Sequence, residues 1–103
     1  MLLATTEKIP GKEYEVLGLV EGSMIQSKNI GKDITQGFKG IVGGDLRQYT
    51  TMLNESREAA KERMIAQATA LGADAVVAVR YTTSAVIQGA AEMLCYGTAV
   101  KFI

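Results

Sequence analysis

Residues 43–72, GGDLRQYTTMLNESREAAKERMIAQATALG, decide the fold. Gly43-Gly44 breaks whatever precedes it, Asp45 is a good N-cap, and Gln48 sits three residues later, where a capping box places its partner. Leu46, Tyr49, Leu53, Ala60, Met64, Ala68 and Leu71 recur at three-, four- and seven-residue intervals, which sets one apolar stripe along a helix. Glu55, Glu58, Lys61 and Glu62 fall on the other side, and Gly72 follows the last apolar position, where a left-handed residue ends a helix. Such a helix is about 40 Å long, longer than a compact domain of this size is wide. Part of it therefore needs cover from beyond its own chain.

The flanking segments read as strands. Met1 to Thr6 is a short strand stopped by Ile9-Pro10-Gly11. Tyr14 to Ile25 alternates, with Tyr14, Val16, Gly18 and Val20 on one side and Glu15, Leu17, Leu19 and Glu21 on the other; Gly18 and Gly22 mark a bend or bulge. Ile30, Ile34, Phe38 and Ile41 keep helical spacing, but Gly31, Gly37 and Gly40 weaken it to one or two short turns capped by Asn29. Beyond the long helix, Ala75 to Thr83 is a β-branched strand with Val77, Val79 and Tyr81 directed at the helix and Ala78, Arg80 and Thr82 away from it. Gln88-Gly89 offers a turn, and Met93 to Phe102 returns antiparallel. The expected class is α+β, an antiparallel sheet packed by one long helix in a single domain spanning residues 1–103.

Composition removes whole classes of chemistry. Eleven Lys plus Arg against eleven Asp plus Glu give a formal net charge of +0, so no excess charge favours nucleic acid or an anionic membrane. Histidine is absent, which excludes a histidine-based acid–base mechanism and the usual Cys/His zinc sites. One cysteine makes no internal disulfide, the N-terminus lacks an export pattern, and no apolar run reaches the roughly 20 residues of a membrane helix; a cytoplasmic address is the expectation. Hydrophobic residues make up 48% with no Trp, and that content at zero net charge suits a protomer that hides surface in an assembly.

The candidate ligand-binding residues are Ser23, Ser27, Lys28 and Asn29, the densest polar group in the chain, and Arg80, which leaves its strand opposite to Val77 and Val79. Against this stands a helix-capping role for the loop and a solvent or neighbouring-acid contact for the arginine. Cys95 reads as a small buried thiol; as a soft-metal ligand, alone or alongside Met93, it would need copies of itself converging on a symmetry axis. Gly40 to Asp45 places glycines before a helix but lacks the P-loop and dinucleotide spacings, and Asp45 puts a negative charge where a phosphate would go. Arg57 and Arg63 lie either on a solvated helix face or at a contact between protomers. No catalytic residue stands out, because Lys28, Tyr81, Asp33 and Asp45 are tied by no spacing that chemistry demands.

The stretches Thr5-Thr6-Glu7, Ile9-Pro10-Gly11-Lys12, Ser27-Lys28-Asn29-Ile30-Gly31, Ile41-Val42-Gly43-Gly44, Leu71-Gly72-Ala73-Asp74-Ala75-Val76-Val77 and Tyr96-Gly97-Thr98-Ala99-Val100, in that order, closely resemble the YbjQ-like family of small uncharacterised bacterial and archaeal proteins. The resemblance runs over essentially the whole chain. It implies a dodecin-like α+β protomer assembled as a homopentamer, under a family label of heavy-metal binding. Relatives often carry an acidic residue in the segment matching Tyr81 to Ser84, where this chain has Thr82-Thr83, so a hard-ion ligand is missing there. The leading expectation is a non-enzymatic, ring-forming cytoplasmic protein with itself as partner and no evident cofactor. The alternative is a binder of a divalent or soft metal, or of a small ligand, at sites between protomers.

Overall fold

The computed structural model describes residues 1–26, 44–87 and 90–103. Four strands and one helix are present among them: β1 (Leu2–Leu3), β2 (Tyr14–Gln26), α1 (Gly44–Ala70), β3 (Ala75–Ile87) and β4 (Ala90–Phe102). They form one helix on a four-stranded sheet of order β1-β3-β4-β2. The sheet is mixed, which corrects the antiparallel expectation: β2 and β3 each run antiparallel to β4, but β1 pairs parallel to β3 through Leu2↔Ala75 and Leu3↔Val76. A two-residue strand is too short to carry a directional pattern. The short helical turns expected near Asn29 to Ile41 and the turn at Gln88-Gly89 lie outside the described residues, as do the side chains of Asp45 and Gln48.

The helix buries a narrower stripe than the periodicity predicts. Ser56, Ala60, Met64 and Ala68, each four residues from the next, are buried, whereas Tyr49 is half-buried and Leu53 and Leu71 are exposed. Three of these four are small, and that lets the helix backbone lie almost on β2. A Cβ built at Gly22 would stand 2.3 Å from the Ala60 carbonyl oxygen and 2.4 Å from the Met64 nitrogen. Gly22 is thus a point of close approach, and the bulge expected near the two β2 glycines falls beside Gly18. The helix ends as predicted: Gly72 is left-handed at φ +79°, its N–H donates to the Thr69 carbonyl at 3.0 Å and the Ala73 N–H to the Ala68 carbonyl at 3.0 Å, a Schellman motif.

Two register shifts change which side chains face the helix. In β2 the shift between Val16 and Gly18 leaves Tyr14 and Val16 on one face and moves Gly18, Val20, Gly22 and Met24 to the helix side, so the single alternation expected from Tyr14 to Val20 is broken. In β3 the shift between Val77 and Arg80 centres on Ala78, a non-glycine residue with φ 54°. Val76 and Val79 join Val20, Met64, Met93 and Cys95 in the core beneath the helix, while Val77 joins Ala75 and Val100 in a smaller cluster on the other face, closed by Ile9, Tyr14 and Phe102. The expectation that Val77, Val79 and Tyr81 share a face therefore fails at Val77.

The molecule is long. Its radius of gyration is 16.9 Å, against about 13 Å for a compact domain of 100 residues. Strands of 13 residues account for this, being about 43 Å end to end. β1 and the backbone of Ala4 to Thr6 cover the edge of β3 as far as Val79. From Arg80 to Ile87 every residue of β3 is exposed, and among the described residues only β4 pairs with that stretch.

Candidate functional site

Two polar features stand out against this scaffold. The first lies under the helix where α1, β3 and β4 meet. Cys95 faces the helix because it pairs with Gly22 on one side and Tyr81 on the other, both on the helix side of the sheet. Its thiol donates to the Met64 sulfur at 3.6 Å, and both side chains are 0% exposed. Tyr81 is the cross-strand neighbour of Cys95, and its hydroxyl and the Lys61 ammonium both stand close enough to act on the thiol. Burial pushes the Cys95 thiol up, an effect that the Tyr81 hydroxyl and Lys61 only partly offset. Burial, followed by the neighbouring thiol, raises the Tyr81 phenol as well, although its side chain is 45% exposed. Lys61 donates to the Glu58 carboxylate at 2.8 Å, and that hydrogen bond holds its ammonium above the usual range. At neutral pH the cluster is thus a neutral thiol, a neutral phenol and a surface ion pair.

The second feature is a groove of about 430 Å³ at the edge of β2, lined by Glu21, Gly22, Ser23, Arg63, Gln67, Glu92 and Leu94. Arg63 and Gln67, four residues apart on α1, reach over the strand edge: the guanidinium donates to the Ser23 carbonyl, and the Gln67 amide oxygen accepts from the Glu21 N–H at 2.9 Å. Both strand groups would otherwise be open to another strand. The helix therefore caps the β2 edge locally, while among the described residues the β3 edge beyond Val79 has no such cap.

The candidate residues do not gather into one site. Ser23 lies in the β2 groove, half-buried. Arg80 lies two strands away, donating through Nη1 to the carbonyls of Thr5 and Val79, each at 2.9 Å, so it ties the N-terminal segment to the β3 bulge. Ser27, Lys28 and Asn29 lie outside the described residues, as do Asp33 and the side chain of Asp45. Cys95 is inside its own protomer, where the sulfur at hand is that of Met64. The partnership of Cys95 with Met64, and the use of Arg63 and Gln67 as edge caps, were missed by sequence reasoning. The signal available was the i, i+4 spacing of Ala60 with Met64 and of Arg63 with Gln67, which defines two adjacent helix rows but not the strand each row meets.

Comparison with known proteins fits this architecture. A family model, YbjQ_1, described as "Putative heavy-metal-binding", matches residues 1–103. The chain belongs to the YbjQ family. It is similar to a UPF0145 protein of Clostridium novyi (strain NT), 56% identical with all of both chains covered. A UPF0145 protein of Photobacterium profundum is 57% identical over 98% of this chain and 99% of that one. A crystal structure of a DUF74-family protein from Pediococcus pentosaceus ATCC 25745 shares the fold with a TM-score of 0.72 at 16% identity, covering 100% of this chain and 98% of that one. No helix among the described residues is long and apolar enough to cross a membrane.

The heavy-metal description of the YbjQ family can be tested against the donors present. Among the described residues no three His, Cys, Asp or Glu side chains converge, so a hard or borderline divalent ion finds no ligand set there. The Cys95–Met64 pair is of another kind, being made of soft donors only.

Proposed function

We propose that the chain is the subunit of a closed homo-oligomer, a non-enzymatic cytoplasmic protein whose ring of five is the assembly implied by the family resemblance. The observation that carries this reading is the distal half of β3. Val86 is 48% and Ile87 70% exposed on a strand whose free edge, among the described residues, presents unpaired backbone groups from Arg80 onward. Such an edge invites pairing with another chain. Leu19 and Ile25, exposed on β2 at 69% and 54%, add apolar surface on the sheet face away from the helix. Because the β3 edge is open and the β2 edge is capped, the two ends of the sheet differ. A contact joining unlike surfaces generates a ring when its rotation closes. Sedimentation velocity over a dilution series into the low-micromolar range tests the proposal: one species of several protomers supports it, and a stable monomer overturns it.

The β2 groove favours a second reading, a small-ligand site completed between protomers. Glu21, Glu92 and Arg63 line it with charge of both signs, and it opens at the sheet edge where a neighbour would sit. Arg63→Ala tests this reading by native mass spectrometry of the protein as purified. A co-purifying small molecule present in the wild type and lost in the variant supports it, and no such molecule in either overturns it.

A further inference from the structure

We infer that the groove at the β2 edge takes a basic α-amino acid of the lysine class, its two cationic groups set on Glu21 and Glu92 and its carboxylate on Arg63 and Gln67. This names a ligand class for the small-ligand reading of the groove and rests on that reading, but not on the number of subunits. The lining side chains come from two directions. Glu21, Ser23, Leu94 and Glu92 share the sheet face away from the helix, in cross-strand rows that follow one another as Glu21↔Tyr96, Ser23↔Leu94 and Ile25↔Glu92. The two carboxylates therefore stand in the end rows, with the apolar Leu94 in the row between. Arg63 and Gln67 come over the strand edge from α1 and lie against the Ser23 carbonyl and the Glu21 N–H, toward the Glu21 end. The Gln67 oxygen is taken by that N–H, which leaves its amide nitrogen, and the remaining guanidinium N–H groups of Arg63, to donate.

Charge selects the class. Among the described residues neither carboxylate has an ion-pair or hydrogen-bond partner, although Glu92 is half-buried, where an unanswered charge is costly. Two carboxylates and one guanidinium sum to one negative charge, which a ligand with two cations and one carboxylate neutralises group by group. An apolar amino acid leaves Glu92 unanswered. A diamine without a carboxylate brings two positive charges to Arg63 and no anion for it, and a phosphate adds negative charge where there is already an excess. Distance argues against a shared metal ion: the rows of Glu21 and Glu92 are four residues apart, about 14 Å along the strand, and no three His, Cys, Asp or Glu side chains converge among the described residues. Extended lysine, about 7.5 Å between its two nitrogens, spans about 13 Å with a hydrogen bond of about 2.9 Å at each end. Its α-ammonium meets Glu21, its carboxylate meets the Arg63 and Gln67 donors, its methylenes cross Leu94 and its side-chain cation reaches Glu92. The groove of about 430 Å³ has room for it.

The experiment titrates the full-length protein at low ionic strength with L-lysine, L-leucine, L-glutamate and cadaverine, reading binding by isothermal titration calorimetry and by saturation-transfer NMR of the free ligand. Expected is one L-lysine per protomer, bound at least about fivefold more tightly than any of the other three and weakened by added salt. Glu92→Gln and Arg63→Gln should each weaken L-lysine at least about fivefold, and Glu92→Gln should also remove its advantage over L-leucine. Circular dichroism of both variants checks that they fold. L-lysine binding that both variants leave unchanged overturns the inference, since the ligand would then sit elsewhere. L-leucine or L-glutamate bound as tightly as L-lysine, and lost in Arg63→Gln, overturns the ligand class while the groove stands as a ligand site. No binding of any of the four to the folded wild type also overturns the inference, and the groove reading is then decided by the co-purifying molecule alone.

Discussion

Gly22→Ala is the sharpest test of how the helix and sheet are held. The new Cβ would stand 2.3 Å from the Ala60 carbonyl oxygen, 2.4 Å from the Met64 nitrogen and 2.6 Å from the Arg63 Cβ. The first two are backbone atoms, so no rotamer change relieves them. Restoring ordinary contact distances requires α1 to withdraw by roughly 1 Å along its middle. That movement loosens Ala60 and Met64, both 0% exposed, against Val20, Val79 and Cys95. Overpacking of this kind costs about 1–3 kcal/mol, and the smaller unfolded-state entropy of alanine returns about 0.4–1 kcal/mol. A net loss of about 1.3 kcal/mol lowers the melting temperature of a domain this size by about 5–10 °C. Thermal denaturation at one fixed protomer concentration measures it, because assembly makes the midpoint concentration-dependent. Exposed Thr51→Ala serves as the control and should stay within about 0.5 kcal/mol. A Gly22→Ala protein as stable as this control would refute the close-packed reading.

Other consequences can be checked with the same assay. Gly72→Ala places a β-carbon on a residue at φ +79° in the Schellman motif and should cost about 1 kcal/mol, with Gly72→Asn costing less. Ser56→Ala removes a buried hydroxyl that donates to the Met52 carbonyl at 2.9 Å within the helix; alanine's better helix propensity offsets the lost bond, so urea midpoints should agree within about 0.5 kcal/mol. The Cys95 thiol is held above its ordinary value of 9.0, so the unfolded chain releases that proton first and stability should fall as pH rises above about 9. Tyr81, raised from 10.0, extends the fall to higher pH, and Cys95→Ala should flatten the thiol part of the profile in pH-dependent urea melts.

Much of the fold was legible because its signals are local. A 27-residue helix with a glycine stop announces itself, as does β3, where seven of thirteen residues are β-branched. The register shifts were not legible. Nothing in Val77-Ala78-Val79 says that Ala78 turns left-handed and sends its two neighbours to opposite faces, since that conformation is imposed by pairing with β4 and the N-terminal segment. The parallel β1 was hidden for a similar reason: its direction is set by Ala75 and Val76, more than seventy residues away. Cys95 was recognised as buried, but its partner Met64 lies on another element 31 residues distant, and no spacing rule joins a helix row to a strand row. Ser23 draws notice as part of a dense polar group and Arg80 as a charge leaving its strand opposite to Val77 and Val79, yet the Ser23 carbonyl accepts from Arg63 and the Arg80 guanidinium donates to the carbonyls of Thr5 and Val79.

Self-association through the uncovered end of β3 is the claim on which the functional proposal turns. Native mass spectrometry of the wild type beside a Val86→Lys/Ile87→Lys double variant addresses it most directly, since both positions are exposed and outside either core cluster. The wild type is expected as a single closed multiple of the protomer, five by the proposed ring, and the double variant as a folded monomer. A wild type found as monomer, or a variant that assembles as the wild type does, would contradict it.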